Sequence, residues 1–152
     1  MSISMLFKQD AQLLNNLVLL LTKEQTALVN MDIDEVESIL DQKSKLIQKI
    51  TSATKIRHQA LAKDGYEANE NGMATWVRAG DNQSVYTDWD AFQKQLAQAK
   101  ELNRVNGQII NQHFKRNQEA LNQLHVKSPN TGVYGPNGQT TALGYSRSSL
   151  MA

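Results

Sequence analysis

The chain has 152 residues, which is enough for one domain with a buried core but not for two ordinary domains. Its 16 basic and 15 acidic residues nearly cancel, so no overall field attracts nucleic acid or an anionic membrane. The absence of cysteine excludes disulfides, thiolate nucleophiles and sulfur-ligated zinc sites. The N-terminus lacks the features of a signal peptide, and the apolar cluster Leu17–Leu21 is too short to span a bilayer, so we expect a cytoplasmic protein.

The first half of the chain predicts two long helices. Apolar residues recur at spacings of three, four and seven from Ser4 to Val29, which is typical of an amphipathic helix. Asp32 followed by Glu35 indicates an N-cap for a second helix, which is expected to end at Asp64 and Gly65. Because the connection between the two helices is so short, they are predicted to pack as an antiparallel hairpin.

The second half predicts a loop and then a third, longer helix. Gly72 and Gly80 interrupt the pattern between residues 65 and 87, where one short helix is expected, with Trp76 plugging the open end of the bundle. Thr87 followed by Asp90 reads as a second capping signal, and the helix that follows should run for roughly 35 residues, or about 50 Å. The prediction is an all-α fold: a helical hairpin plus a third long helix in a three-helix, coiled-coil-like bundle.

The third helix has a narrow apolar row with asparagine and glutamine on both sides in its later turns. Such a row is typical of a coiled-coil seam, in which apolar side chains supply affinity and flanking amides fix the register. An ordinary core helix with a solvated back is an equally good interpretation of this pattern. The sequence alone leaves both interpretations open.

Catalytic and metal-binding patterns are not found in the sequence. None of His58, His113 and His125 has another histidine or a carboxylate three or four residues away, as a helical metal site requires. The carboxylates of Asp32, Asp34 and Glu37 are explained by capping and by the helix dipole. We therefore expect neither an enzyme nor a metal or other cofactor. A histidine phosphotransfer module acting through His58 is the enzymatic alternative.

From about His125 onward the composition changes to a segment that contains both prolines and four of the glycines. We predict a helical domain over residues 1–125 and a flexible C-terminal tail over residues 126–152. Within the tail, Tyr134 is followed by turn-forming residues through Gln139, which would present the aromatic ring outward. A linker whose tyrosine docks back onto the body is the equal alternative.

Three groups of residues together resemble one known family. They are an Asn-Gly step in an amide-rich helix (Asn103, Asn106, Gly107, Ile110), a later group (Gln118, Ala120, Leu121, Leu124) and the turn Tyr134–Gln139. This combination resembles the FlgN family of flagellar type III export chaperones. The specific part of the resemblance covers residues 102–139, whereas the first hundred residues are similar to many helical hairpins.

The resemblance implies a cytosolic chaperone, without ATP or metal, for hook-associated proteins of the FlgK and FlgL type. It would cover their helical C-terminal segments and so prevent premature assembly. The family's client-binding region corresponds here to Leu102, Val105, Ile109, Ile110, Phe114, Leu121 and Leu124. Docking to the cytosolic domain of the FlhA-type export gate subunit would involve Tyr134, Gly135 and Gly138. A monomer or weak homodimer is expected. The alternative function is a self-associating coiled-coil adaptor or structural protein.

Overall fold

Four α-helices make up the part of the chain that the computed structural model describes, residues 1–127. They are α1 (Ile3–Val29), α2 (Ile33–Lys63), α3 (Glu70–Gly80) and α4 (Gln83–Lys127). α1 packs against both α2 and α4, while the short α3 contacts α2 and α4. The predicted all-α fold, a hairpin plus a third long helix with a short helix between them, is confirmed. The segment beyond residue 127, including Tyr134, Gly135 and Gly138, lies outside the described residues.

The first two helices begin and end where their capping residues predict. The Asp32 side chain accepts a hydrogen bond of 3.2 Å from the Glu35 amide at the start of α2. At the end of α2 the Tyr66 amide donates to the Leu61 carbonyl at 3.0 Å. The intervening Gly65 has a φ of 87°, a left-handed conformation that glycine adopts without steric cost. Local sequence alone therefore fixes both ends of α2.

The predicted start of the last helix is wrong. α4 begins at Gln83, because the Asn82 side chain accepts a 3.0 Å hydrogen bond from the Ser84 amide and so caps the helix earlier. Thr87 lies inside α4, where its hydroxyl donates to the Gln83 carbonyl at 3.0 Å. The extra turn packs Val85 and Tyr86 against the core. The helix has 45 residues and is therefore ~67 Å long.

The short helix α3 closes one end of the bundle. The sequence pattern suggested that Gly72 interrupts the helical periodicity. In the structure Gly72 lies in the first turn of α3. A Cβ atom at this position would lie 1.9 Å from the Glu67 carbonyl oxygen, so only glycine fits there. Met73 and Val77 of α3 are fully buried, and Trp76 is half-buried against the same cluster, as expected of a residue that plugs the bundle end.

Two apolar clusters form the core, and a layer of buried polar residues lies between them. The first cluster joins α1, α2, α3 and α4 and includes the Phe7 and Phe92 rings, whose centroids are 5.2 Å apart. The second lies toward the α1–α2 turn and includes Leu28, Ile39 and Ile110. Among residues 1–127, no helix is both long and apolar enough to cross a membrane.

Two helical glycines give a matched test of this packing. Apart from its chain neighbours and the backbone of its own helix, Gly107 of α4 has no atom within 4 Å of the position that a Cβ would take. Gly107→Ala should therefore raise the free energy of unfolding by about 0.5–1 kcal/mol, since alanine is the better helix former. Gly72→Ala should lower it by roughly 1–3 kcal/mol because the backbone of α3 must shift. Urea denaturation followed by circular dichroism measures both, and equal effects would contradict the described geometry.

Candidate interaction surface of α4

α4 runs alongside α1 in the same direction, and four contacts define their alignment. The Phe7 ring meets Phe92, and Gln95 donates a 3.2 Å hydrogen bond to Asn15. Further along, Asn106 reaches the Leu21 carbonyl at 3.0 Å, and Ile110 packs with Ala27 and Leu28. By this alignment α1 ends level with about residue 113 of α4. Residues 114–127, which we call the α4 extension, then project past the α1–α2 turn by ~21 Å.

The apolar row of α4 is divided between the core and the extension. Leu102 packs against the first cluster, and Ile110 is a buried member of the second, with Ile109 packed beside it. Val105, Phe114 and Leu121 are half-buried, and the Leu124 side chain is 63% exposed. No residue of the extension belongs to either core cluster. The first part of the predicted client-binding row therefore contributes to the fold of this chain, while Phe114, Leu121 and Leu124 lie beyond the core.

Two of the amides beside this row make their contacts within the chain. Asn106 is buried and donates hydrogen bonds to Glu24 at 2.8 Å and to the Leu21 carbonyl. Asn103 accepts a 2.9 Å hydrogen bond from the Lys43 ammonium, which also lies 3.5 Å from the Glu24 carboxylate. We call these four residues, Glu24, Lys43, Asn103 and Asn106, the polar layer. The layer joins α1, α2 and α4, so it fixes the register of α4 on the hairpin.

A second buried charge network holds α3. The Arg57 guanidinium binds Asp10 of α1 at 2.5 Å and Glu70 of α3 at 2.7 Å, and His58 Nε2 lies 2.8 Å from Glu70. Burial raises the pKa of Glu70, but hydrogen bonds from Arg57 and His58 outweigh it, so the net pKa lies below its usual value. Burial dominates at Asp10, whose pKa is raised despite the Arg57 contact. His58 therefore has a structural partner, a carboxylate twelve residues away in the sequence that helical spacing did not reveal.

One exposed apolar feature is missing from the predicted site. Val29, Met31 and Ile33, which we call the hairpin tip, are between 58% and 63% exposed at the turn from α1 to α2. The sequence pattern identifies this segment only as a connection between two helices. The signal that could have found it is three large apolar side chains at alternate positions in a short turn, where polar residues are usual. Among residues 1–127, no group of three or more histidine, cysteine or carboxylate side chains is placed to bind a metal ion.

The comparisons with known proteins agree with this architecture. The profile of the FlgN protein family matches residues 1–142, so the chain belongs to the FlgN family. Among solved structures it is similar to a flagella synthesis protein FlgN from Pseudomonas aeruginosa, with 26% sequence identity and a TM-score of 0.60. The similarity covers 71% of this chain and 85% of that protein. No curated protein sequence gives a significant match.

The polar layer yields a stability prediction. Asn106→Ala removes both amide hydrogen bonds and leaves the buried Glu24 carboxylate with its Lys43 contact alone. The free energy of unfolding should fall by about 2–3 kcal/mol, because a buried charged group loses a partner. Asn122→Ala, an exposed amide on the same helix, is the control and should change it by less than ~0.5 kcal/mol. Similar values for both variants in urea titrations would show that the layer does not stabilise the fold.

Proposed function

We propose that this protein is a cytoplasmic export chaperone of the flagellar type III secretion system and not an enzyme. It binds the helical C-terminal segments of hook-associated proteins of the FlgK and FlgL type, prevents their premature assembly and delivers them to the export gate. Membership of the FlgN family and the similarity to a flagella synthesis protein support the flagellar role. The observation that carries the proposal is the α4 extension, an amphipathic helix that continues past the core.

The extension fits this role because it presents the apolar side chains of Leu121 and Leu124 on a stretch of helix that continues past the other helices of residues 1–127. Phe114, Leu121 and Leu124 recur at spacings of seven and three, so they share one helix face. A client helix laid against this face would bury apolar surface that otherwise drives assembly among client molecules. Ile110 and Leu102 anchor the same helix to the body and hold the extension in place. The chaperone can therefore offer a binding helix while its own core stays intact.

A substitution at the exposed end of the row tests this assignment. Leu124→Asp should weaken binding of a hook-associated protein's C-terminal peptide by at least about tenfold, because it places a charge in the apolar contact. Helix content and melting temperature should not change, since Leu124 is 63% exposed. Isothermal titration calorimetry with the full chain provides the affinity, and circular dichroism provides the helix content.

Leu19→Asp is the matched control for this variant. Leu19 is 56% exposed on the body of α1, so the same charge is introduced at similar exposure but away from the extension. Its affinity for the peptide should equal that of the wild type. If both variants bind normally, the extension is not the client site. If the wild type binds no client and sediments as a stable oligomer, a self-associating coiled-coil adaptor becomes the better explanation of the protein's function.

Residues of the C-terminal tail are assigned the delivery of the client to the export gate. Tyr134, together with Gly135 and Gly138 of the predicted turn, is proposed to dock to the cytosolic domain of the FlhA-type gate subunit. Tyr134→Ala should weaken that interaction and leave client affinity unchanged, whereas Tyr145→Ala, the control in the same segment, should preserve both. Pull-down of the purified gate domain by each chaperone–client complex measures the effect. Unchanged capture by the Tyr134 variant would remove this residue from the docking site.

A further inference from the structure

The hairpin tip concentrates the exposed apolar surface of the described chain. Val29, Met31 and Ile33 account for three of the eight large hydrophobic residues that are strongly exposed in residues 1–127. Single exposed apolar side chains are ordinary, but three of them at one short turn indicate an interaction surface. The tip lies level with about residue 113 of α4, where the α4 extension begins. The two surfaces are thus at the same end of the molecule.

The backbone geometry of the turn indicates that the Met31 side chain does not stabilise the fold. The Asp32 amide donates to the Ala27 carbonyl at 2.9 Å, and the Met31 amide donates to the Leu28 carbonyl at 3.2 Å, which together form a Schellman motif. In this motif Met31 has a φ of 54°, a left-handed conformation in which glycine is usual and a side chain costs about 1 kcal/mol. The hydrogen bonds would be the same with glycine. A strained and exposed methionine favours a role in binding, for which its flexible thioether is well suited.

The charge around the tip indicates what kind of partner it binds. Residues 30–42 contain five carboxylates and no lysine or arginine. Asp32 caps α2 and Asp41 pairs with Lys45, but within residues 1–127 no ion pair engages Asp34 or Glu37. The helix dipole accounts for Asp34 in the first turn of α2. The sequence-based explanation of Glu37 by capping and the same dipole is wrong, because Glu37 lies beyond the first turn. Lys23 borders the adjoining groove of about 400 Å³ and offsets only part of this charge.

We propose that the hairpin tip is the second half of the client-binding surface, where it docks an amphipathic client helix that carries lysine or arginine beside its apolar row. This inference rests on the proposed function. The apolar side chains of the tip cover one end of the client helix while the α4 extension covers its length. The carboxylates of Asp34 and Glu37 then meet the flanking cations and fix the direction in which the helix lies.

Substitution of Met31 separates binding from folding. In Met31→Gly the left-handed turn is relieved, so the protein should unfold at a higher temperature than the wild type. Its affinity for the client's C-terminal peptide, measured by calorimetry on the full chain, should nevertheless fall about tenfold. Ile33→Ser should weaken binding similarly. Ile56→Ser is the control, because Ile56 is 52% exposed on the body of α2, and its affinity should equal that of the wild type.

The charge component has its own test. Asp34→Asn combined with Glu37→Gln should weaken binding of the same peptide about tenfold at low ionic strength and should reduce the salt dependence of the affinity. Asp88→Asn, an exposed carboxylate near the start of α4, is the control and should have no effect on either. A double variant that binds as the wild type does, with the same salt dependence, would overturn the basic-helix assignment.

The remaining outcomes distinguish other occupants of the tip. If the wild type binds the peptide and Met31→Gly binds it equally well, the tip is not part of the client site, although the proposed function stands. If Met31→Gly binds more tightly, a competing segment such as residues 128–152 occupies the tip, which overturns the inference. A concentration-dependent dimer that Met31→Gly abolishes would assign the tip to a second copy and also overturn it. If the wild type fails to bind any client, the proposed function itself fails.

Discussion

The polar layer of Glu24, Lys43, Asn103 and Asn106 is the constraint on which the rest of this structure depends. Apolar rows on long helices can slide past one another by a turn at little cost, because every turn offers a similar surface. A buried carboxylate that must meet one particular amide cannot slide, since any other register leaves it without its partner. Asn106 contacts both the Glu24 side chain and the Leu21 carbonyl, so α4 has one position along α1.

That position determines how far α4 projects beyond the hairpin. With Ile110 packed on Ala27 and Leu28, the residues from about 114 onward have passed the end of α1. If α4 moved by one helical turn along α1, toward the N-terminus of α1, Phe114 would enter the second cluster and the extension would be ~5 Å shorter. The length of the proposed binding surface is thus set by a buried polar contact some distance from it.

The Arg57 network plays a corresponding role at the opposite end of the bundle. It ties α3 to α1 and α2 through Asp10 and Glu70, and the guanidinium lies 5.8 Å from the centre of the Phe92 ring of α4. All four helices therefore meet at this one residue. The end with α3 is closed by a charge network and an aromatic cluster, whereas no helix of residues 1–127 closes the end with the hairpin tip and the α4 extension. This asymmetry places the candidate interaction surfaces at a single end.

The sequence by itself determined the all-α fold, the hairpin and the bounds of α1 and α2, because helical periodicity and capping at Asp32 and Gly65 are local properties. It also indicated the FlgN family and the apolar row of α4. Only the tertiary structure decided which part of that row is core, since Ile110 and Leu121 have equivalent sequence surroundings and differ only in whether α1 reaches them. The start of α4 at Gln83, the pairing of Asn106 with Glu24 and the left-handed Met31 were likewise decided by contacts between distant residues. Periodicity specifies which face of a helix is apolar, but the lengths and register of its neighbours decide what that face contacts.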